Sequence, residues 1–339
     1  MSDARDDNVV LALNSGSSSL KLGLYSFRDA QVSKLAWGQA EEIGSQNGRL
    51  WLRRGSQLLI DKSRSCATTA KAAEYLTSAL VGNSLPTPHV IGHRFVHGGP
   101  YLQNHQRITA EVLRQIEEAI TFAPLHLAPA LDVLRQAVRD YPGVLQVACF
   151  DTVFHRTLPE YAARLPFGRE FWEKGLRRYG FHGLSCESIV DVLGDTLAPR
   201  MVIAHLGNGC SITAVRDGVS VETTMGLTPI GGVMMGTRSG DLDPGVLLHL
   251  LQAEKYDADM LDQLLNHRSG LLGVSGVSSD MRSLLQASSE NQQANLAVEM
   301  FCYQVHKSIG AMATVLNGID VLVFAGGIGE HAAPVRAKI

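Results

Sequence analysis

Three segments of the sequence place a cationic or imidazole side chain beside glycine. Arg94 lies in HRFVHGG, His182 in YGFHG and Arg238 in MGTRSGD. Glycine lets a ligand approach the backbone closely, and an arginine can hold a carboxylate or a phosphate through two parallel hydrogen bonds. Each side chain taken alone is more typical of a surface arginine or a hydrogen-bonded core histidine. As a set they are candidates for a local anion site.

A carboxylate stands at the end of another apolar segment. Asp151 follows VACF and precedes Thr152. The carboxyl end of a buried strand is where α/β sheets place binding and catalytic groups, so Asp151 is a candidate for chemistry. Its local sequence is also that of a helix N-cap, and this alternative stays open. His126, in the sequence APLH, is assigned a structural role.

Three glycine-rich turns each follow an apolar strand, at residues 14–19, 207–211 and 326–330. Backbone N–H groups in such turns can converge on a phosphate, and Lys21 follows the first turn. None is a Walker A loop, because GSSSLK lacks the second glycine and the Ser/Thr after lysine. A dinucleotide-binding interpretation of the last turn fails on length. It requires an acidic residue about 20 positions further on, and the sequence ends at Ile339.

Composition excludes several classes of protein. The chain has 339 residues, enough for two domains, and a net charge of -3 with no basic run, which argues against nucleic-acid binding. Five scattered cysteines without a C-x-x-C pair argue against a disulfide framework or zinc site and favour the cytoplasm. The N-terminal MSDARDDN is not a secretory signal, and no apolar run suits a membrane span.

The order of predicted elements indicates an α/β protein whose sheets are covered by helices. A strand, a Gly/Ser turn and a second strand occur at 9–25 and again at 201–215, which suggests a duplicated domain with its boundary near Phe150. Helices are predicted at 67–80, after Thr109, at 129–138, after Asp243 and Asp257, and at 291–316.

Seven segments in order resemble motifs of the acetate kinase family, within the superfamily of sugar kinases, actin and heat-shock chaperones. They are residues 11–25, 93–100, 148–162, 177–185, 205–215, 234–245 and 324–331. The resemblance implies duplicated ribonuclease H-like (actin-like ATPase) domains with an interdomain cleft. Residues 1–150 would carry the acetate side and the first phosphate turn, and residues 151–339 would bind the nucleotide.

The same resemblance implies a reaction and a set of roles. The reaction is reversible, direct in-line transfer from ATP to acetate, with Mg²⁺ or Mn²⁺, giving ADP and acetyl phosphate. The implied catalytic residues are Asp151, His182 and Arg238, with Asn14 associated with the metal. Arg94 would bind the carboxylate of acetate. A pocket for the methyl group of acetate would be lined by Val96, Leu125, Phe181 and Pro229. The implied ATP contacts are Lys21, His205, Leu206, Gly207, Asn208, Gly209, Asp280, Met281, Arg282, Gly327, Ile328, Gly329, Glu330 and His331.

Chemical reasoning refines one of these roles. Acetate is already ionised near neutral pH, so no proton need be removed before it attacks. Asp151 is therefore interpreted as an orienting or metal-shell carboxylate rather than a general base. Fixed positive charge from Arg94, Arg238, the metal and His182 would offset the repulsion between two anionic substrates.

The sequence also departs from the family pattern. Family members continue for several dozen residues beyond the GIGE segment, so we expect an incomplete C-terminal domain and at most weak activity. Leu127 replaces a family asparagine, Gly231 a glutamate and His331 an asparagine. The alternatives are a propionate or butyrate kinase, or an inactive truncated nucleotide-binding protein. The family implies a cytoplasmic homodimer acting on small molecules, without nucleic-acid or membrane partners.

Overall fold

The computed structural model describes residues 8–16, 18–29 and 31–339. Most of the N-terminal segment discussed above, and Ser17 of the first predicted glycine turn, lie outside the described residues. The contacts divide the chain into two compact units, Met1–Val153 and Phe154–Ile339.

The described part of the first unit contains an eight-stranded sheet in the order β5-β4-β3-β2-β1-β6-β8-β7. Its strands are β1 (Asn8–Ser15), β2 (Leu20–Arg28), β3 (Gln31–Glu41), β4 (Arg49–Arg54), β5 (Gln57–Ser63), β6 (Val90–Phe95), β7 (Gln106–Arg107) and β8 (Leu145–Phe150). Its helices are α1 (Thr69–Gly82), α2 (Ala110–Glu118) and α3 (Pro124–Asp140), with a 3₁₀ turn at Ala119–Phe122.

Three neighbouring strands of this sheet run parallel and end at the same edge. β1 pairs with β6, and β6 pairs with β8, in matched register. Burial alternates along β6, where Ile91, His93 and Phe95 are buried, so Arg94 extends from the opposite face. Helices α1 and α3 cover the apolar side of the sheet around Leu11. The carboxyl ends of β1, β6 and β8 therefore bring their last residues together.

The described part of the second unit contains a four-stranded sheet in the order β11-β10-β9-β12. The strands are β9 (Arg200–Leu206), β10 (Cys210–Arg216), β11 (Val219–Thr223) and β12 (Val321–Ala325). The helices are α4 (Glu160–Ala163), α5 (Arg169–Glu173), α6 (Gly183–Leu193), α7 (Pro244–Gln252), α8 (Ala258–His267), α9 (Gly270–Ser275), α10 (Met281–Ala287), α11 (Gln292–Leu316), α12 (Gly326–His331) and α13 (Ala333–Lys338). Short 3₁₀ turns lie at Val153–Thr157 and Gly194–Thr196.

The two sheets share one strand pattern. In each, an antiparallel hairpin (β1–β2 or β9–β10) has a parallel strand on one side, β6 or β12. On its other side lies an antiparallel strand, β3 or β11. The predicted α/β fold built from a repeated pattern is confirmed.

Two sequence predictions need correction. Helix α3 begins at Pro124 rather than Pro129, because Pro124 occupies the first turn, where its missing N–H costs nothing. Pro129 lies inside the helix. The third glycine turn is not an open loop, since Gly326 begins α12 directly after β12.

Helix α11 follows its prediction closely. Asn291 caps its start through a bond from the Ala294 N–H, and Asn317, with φ of 60°, ends it just before Gly318. None of the helices in the described ranges combines the length and the apolar character that a membrane span requires.

Candidate active site

The edge formed by β1, β6 and β8 brings three predicted residues into contact. Arg94 donates from Nε to Asp151 Oδ2 at 3.0 Å, and its Nη2 donates to the same oxygen. Its Nη1 donates to Asn14 Oδ1 at 2.9 Å. These contacts use three of the five N–H groups of the guanidinium. Arg94 is thus fixed in place while part of its donor surface faces outward.

Charge and burial both act on the pair of Arg94 with Asp151. The Asp151 side chain is 3% exposed and that of Arg94 is 28% exposed. Burial opposes the charge of the guanidinium, but the Asp151 carboxylate outweighs it and raises the pKa of Arg94 above its ordinary value. Breaking such a pair by removing one partner leaves an uncompensated charge.

The backbone around Asp151 is also held. The Asp151 N–H donates to the Phe95 carbonyl at 3.0 Å, and the Phe150 N–H donates to His105 Nδ1 at 3.1 Å. Sequence reasoning missed His105, which lies away from the glycine-flanked segments. The predicted ATP contact Lys21 is exposed and pairs in register with Asn14 on the neighbouring strand.

The donor set at this edge suits a divalent ion that keeps other ligands. Residues 8–16, 18–29 and 31–339 contain no group of three His, Cys, Asp or Glu side chains placed to enclose a metal. Asn14 and Asp151 offer an amide and a carboxylate group, each with one oxygen that accepts from Arg94. Mg²⁺ commonly takes one or two carboxylates together with water and substrate phosphate oxygens, so these two residues fit such an ion.

In the second unit, His182 and Arg238 flank the loop between β9 and β10. A methyl group placed on Gly209 would lie 3.1 Å from His182 Nε2 and 3.4 Å from Arg238 Nη1. Arg238 Nη1 also donates to the Pro229 carbonyl at 3.0 Å. A side chain at position 209 would crowd both groups, so glycine leaves the imidazole and the guanidinium more room at this point.

His182 is held on two sides of its ring. Its Nδ1 lies 2.9 Å from the Ser211 hydroxyl, and its ring stacks on His205 with centroids 4.2 Å apart. His205 Nδ1 in turn lies 3.0 Å from the Ser185 hydroxyl. Ser185 and Ser211 were not singled out from sequence, although both lie in segments that resemble family motifs.

A cavity of about 830 Å³ in the second unit collects most of the predicted nucleotide segments. Its lining comes from Gly207, Asn208, Ser279, Asp280, Met281, Arg282, Leu285, Gln286, Gly327, Ile328, His331, Ala332 and Pro334. Five of these were not predicted: Ser279, Leu285, Gln286, Ala332 and Pro334. They lie within four residues of predicted ones, and a motif match alone does not identify such neighbours.

Several predicted ATP contacts lie outside this cavity. Gly209 lies at His182, His205 stacks on His182, and Leu206 is fully buried in β9. Gly329 is buried in α12, while Glu330 is exposed and 3.6 Å from His331.

The predicted methyl-pocket residues have unequal exposure. In the first unit, Val96 is buried directly after β6, and Leu125 is 38% exposed at the start of α3. In the second unit, Phe181 is buried, and the Pro229 carbonyl accepts the hydrogen bond from Arg238. Their role in binding an acyl chain stays a prediction.

Cys210, next to Gly209, is not available as a nucleophile. Its side chain is fully buried, which raises the pKa of the thiol to about 12. Its Sγ contacts the Gly207 carbonyl. The groups near the loop are therefore suited to binding an anionic ligand rather than to covalent catalysis.

Comparison with known proteins identifies the family. The sequence profile of the Acetokinase family matches residues 9–339. The chain belongs to this family. An acetate kinase from Caldicellulosiruptor saccharolyticus is 41% identical over 343 residues, which span 97% of this chain and 85% of that protein. An acetate kinase from Porphyromonas gingivalis is 40% identical, with 97% and 86% coverage.

Two solved kinase structures have the same fold. A propionate kinase from Francisella tularensis superimposes with a TM-score of 0.91 at 38% identity, covering 98% of this chain and 87% of that chain. The Porphyromonas gingivalis acetate kinase gives a TM-score of 0.85 at 38% identity, with 98% and 86% coverage. The resemblance inferred from the seven sequence motifs is confirmed.

Proposed function

We propose that the chain is an acetate kinase that transfers a phosphoryl group reversibly between ATP and acetate, with Mg²⁺ as the divalent ion. One observation carries the proposal. Within a single loop, Gly207 and Asn208 line the large cavity, while a methyl group placed on Gly209 would lie within 3.4 Å of both His182 Nε2 and Arg238 Nη1. A nucleotide whose base occupies the cavity would have its phosphates directed along this loop toward the guanidinium of Arg238 and the imidazole of His182.

The side chains of this loop region suit phosphoryl transfer. Catalysis of this reaction depends mostly on positioning and on stabilising charge at the transferred group. Arg238 and His182 would donate hydrogen bonds to its oxygens. A preorganised donor of this kind is worth about 3–4 kcal/mol in the transition state.

The first unit supplies groups for the acid. Arg94 would bind the acetate carboxylate with its remaining N–H groups, while Asp151 holds the guanidinium in place. Asn14 and Asp151 would also hold the Mg²⁺, which neutralises phosphate charge when bound. We propose that residues 1–150 serve the acid and residues 151–339 the nucleotide.

Trapping of acyl phosphate with hydroxylamine tests the function directly. With Mg²⁺ and ATP, we expect acetate to give the highest kcat/KM among acetate, propionate and butyrate. Replacing Mg²⁺ by Mn²⁺, or removing both with a chelator, tests the metal. Failure to form any acyl phosphate, together with normal ATP binding, would contradict the proposal.

Propionate is the second candidate substrate. The propionate kinase from Francisella tularensis matches this fold with a TM-score of 0.91. One methylene group changes binding in an apolar pocket by only about 1–3 kcal/mol, so the preference is a matter of degree. A higher kcat/KM for propionate than for acetate would favour this alternative.

We also propose a cytoplasmic homodimer. Helix α7 has the sequence PGVLLHLLQ, yet none of its residues is buried, and exposed apolar surface of this kind is typical of an interface. Each of the five cysteines is a thiol, as expected in a reducing compartment. We predict twice the chain mass by light scattering, and about one chain mass for Leu248→Glu in α7. Val192→Glu, at an exposed position on α6, should leave the dimer intact.

A further inference from the structure

His155 is a buried imidazole to which none of the roles above refers. It is 2% exposed and lies in the 3₁₀ turn at the start of the second unit. Its Nε2 is 3.0 Å from the Phe181 carbonyl oxygen, and its Nδ1 is 2.9 Å from the Ser220 hydroxyl. A carbonyl oxygen can only accept, so Nε2 carries the proton and Nδ1 accepts from Ser220.

The Phe181 carbonyl belongs to the peptide that leads into His182. His182 has φ of 60° and ψ of 23°, a left-handed conformation that is unfavourable for a residue with a side chain. A hydrogen bond to the Phe181 oxygen limits rotation of this peptide. It therefore stabilises the backbone conformation that directs the His182 ring toward Gly209.

Close packing fixes the donor as well. A methyl group on Gly180 would lie 2.6 Å from the Cγ and Cδ2 of His155 and 2.6 Å from the Thr223 Cγ2. The segment before His182 thus lies directly against the His155 ring. The ring has little freedom to turn away from the Phe181 carbonyl.

We propose that His155 is a positioning residue for phosphoryl transfer, which holds the Phe181 carbonyl and so keeps His182 beside Arg238. The proposal rests on the proposed function, because that function gives His182 its role. Without the Nε2 donor, the Phe181–His182 peptide would relax toward an ordinary conformation. The His182 ring would then leave the point that it shares with Arg238.

Three variants test this role by kinetics. His155→Phe keeps the ring volume but removes the donor, whereas His155→Gln retains an N–H that can reach the carbonyl. The control is Thr157→Val, which loses the 2.9 Å bond to the Ser220 carbonyl without touching Phe181. We expect His155→Phe to lower kcat by about 30-fold with little change in the KM for ATP, since small misplacements of a catalytic group have effects of this order. His155→Gln should recover most of the rate, and Thr157→Val should lose less than about twofold.

A double variant separates positioning from general stability. In a His182→Ala background, adding His155→Phe should lower the residual kcat no further, because the residue acts through His182. An equal loss in both backgrounds, or an equal loss in Thr157→Val, would overturn the proposal.

An NMR measurement does not depend on turnover. In ¹⁵N-histidine-labelled protein, His155 should show the Nε2–H tautomer, and His155→Gln should shift the His182 ring signals less than His155→Phe does. An Nδ1–H tautomer would overturn the assignment. If the wild type forms no acyl phosphate but shows the expected tautomer, the proposed function fails while the hydrogen-bond geometry holds.

Discussion

At the scale of single residues, Asp151 holds the guanidinium of Arg94. Its Oδ2 accepts two hydrogen bonds from Arg94, and its side chain is nearly inaccessible to solvent. A carboxylate engaged in this way orients the guanidinium and is poorly placed to accept a proton from substrate. The arrangement supports the interpretation, made from the chemistry of acetate, that Asp151 is not a general base.

Asp151→Asn should therefore impair turnover more than folding. The amide cannot neutralise Arg94, so the guanidinium loses its fixed orientation, and kcat is expected to fall by about 100-fold. The Mg²⁺ concentration that gives half-maximal rate should rise. Initial rates over a Mg²⁺ series, with far-UV circular dichroism as the folding control, check this. A full rate with unchanged Mg²⁺ dependence would contradict both roles.

His93 predicts a pH dependence of stability. Burial lowers its pKa to about 4, against the opposing effect of its 2.7 Å bond to Gln146. In the unfolded chain the histidine pKa is near 6.5, so the unfolded chain binds the proton more readily. The contribution of neutral His93 to the free energy of unfolding is therefore fully present above about pH 6.5 and is lost as pH falls toward about 4. The contribution amounts to at most about 3 kcal/mol. Denaturant unfolding at several pH values should show a smaller decline for His93→Gln than for wild type, whereas His267→Gln, at an exposed site, should match wild type.

At the scale of elements, the junction between β12 and α12 depends on one glycine. Gly326 has φ of 75°, and a methyl group there would lie 2.5 Å from the Leu206 carbonyl oxygen. Gly327, the next residue, has no such neighbour within 4 Å. Two adjacent glycines in one motif therefore have different physical reasons to be glycine.

This difference predicts opposite results for two alanine variants. Gly326→Ala should destabilise the protein by more than about 2 kcal/mol, because both the conformation and the space are lost. Gly327→Ala should be neutral or gain about 0.5–1 kcal/mol from helix propensity. Thermal unfolding of the pair decides the matter, and equal Tm changes would show that the packing at Leu206 is not limiting.

Sequence reasoning worked best where one residue type has a local physical role. Thr109 and Asp243 are predicted as helix caps from residue type and position alone, and both accept a hydrogen bond from a backbone N–H of the first turn. The predicted start of α3 was wrong because Pro129 suits a helix start as well as Pro124 does, and the sequence pattern alone does not show that the helix continues through Pro129. The contact of Arg94 with Asp151 was not predicted: the resemblance to the family gave each residue a separate role, and their separation in sequence gives no sign of contact.

At the scale of the whole molecule, the repeated sheet pattern places a hairpin, β1–β2 or β9–β10, at an equivalent position in each sheet, and the turn of each hairpin carries candidate site residues. In the first unit, the β1–β2 end carries Asn14, which accepts a hydrogen bond from Arg94, and Lys21, which pairs in register with Asn14. In the second, the β9–β10 end carries the 207–209 loop beside the large cavity. Periodicity and motifs predicted the repeat, but the cavity could not be predicted, because it needs α10 and α12 to pack beside the loop.

Hydrogen exchange should locate nucleotide binding within this architecture. With ADP alone, we expect the strongest protection of backbone amides in α10 and α12, whose residues line the 830 Å³ cavity. Arg282→Glu should weaken the protection, because it replaces a positive charge in the cavity lining by a negative one and so disfavours an anionic nucleotide. Mass spectrometry of peptic fragments provides the measurement, and strongest protection in the β1–β2 region would contradict the assignment of the cavity.

The hydrogen-bonded ion pair of Arg94 and Asp151 also affects the isotope dependence of the reaction. Among the described contacts at this edge, Asp151 is the carboxylate that accepts from Arg94, and it is already occupied by that interaction. Acetate also arrives as an anion. The step that forms the bond between acetate and phosphorus would therefore transfer no proton. Turnover in heavy water should then nearly equal turnover in ordinary water, once the small shift in the pD scale is corrected.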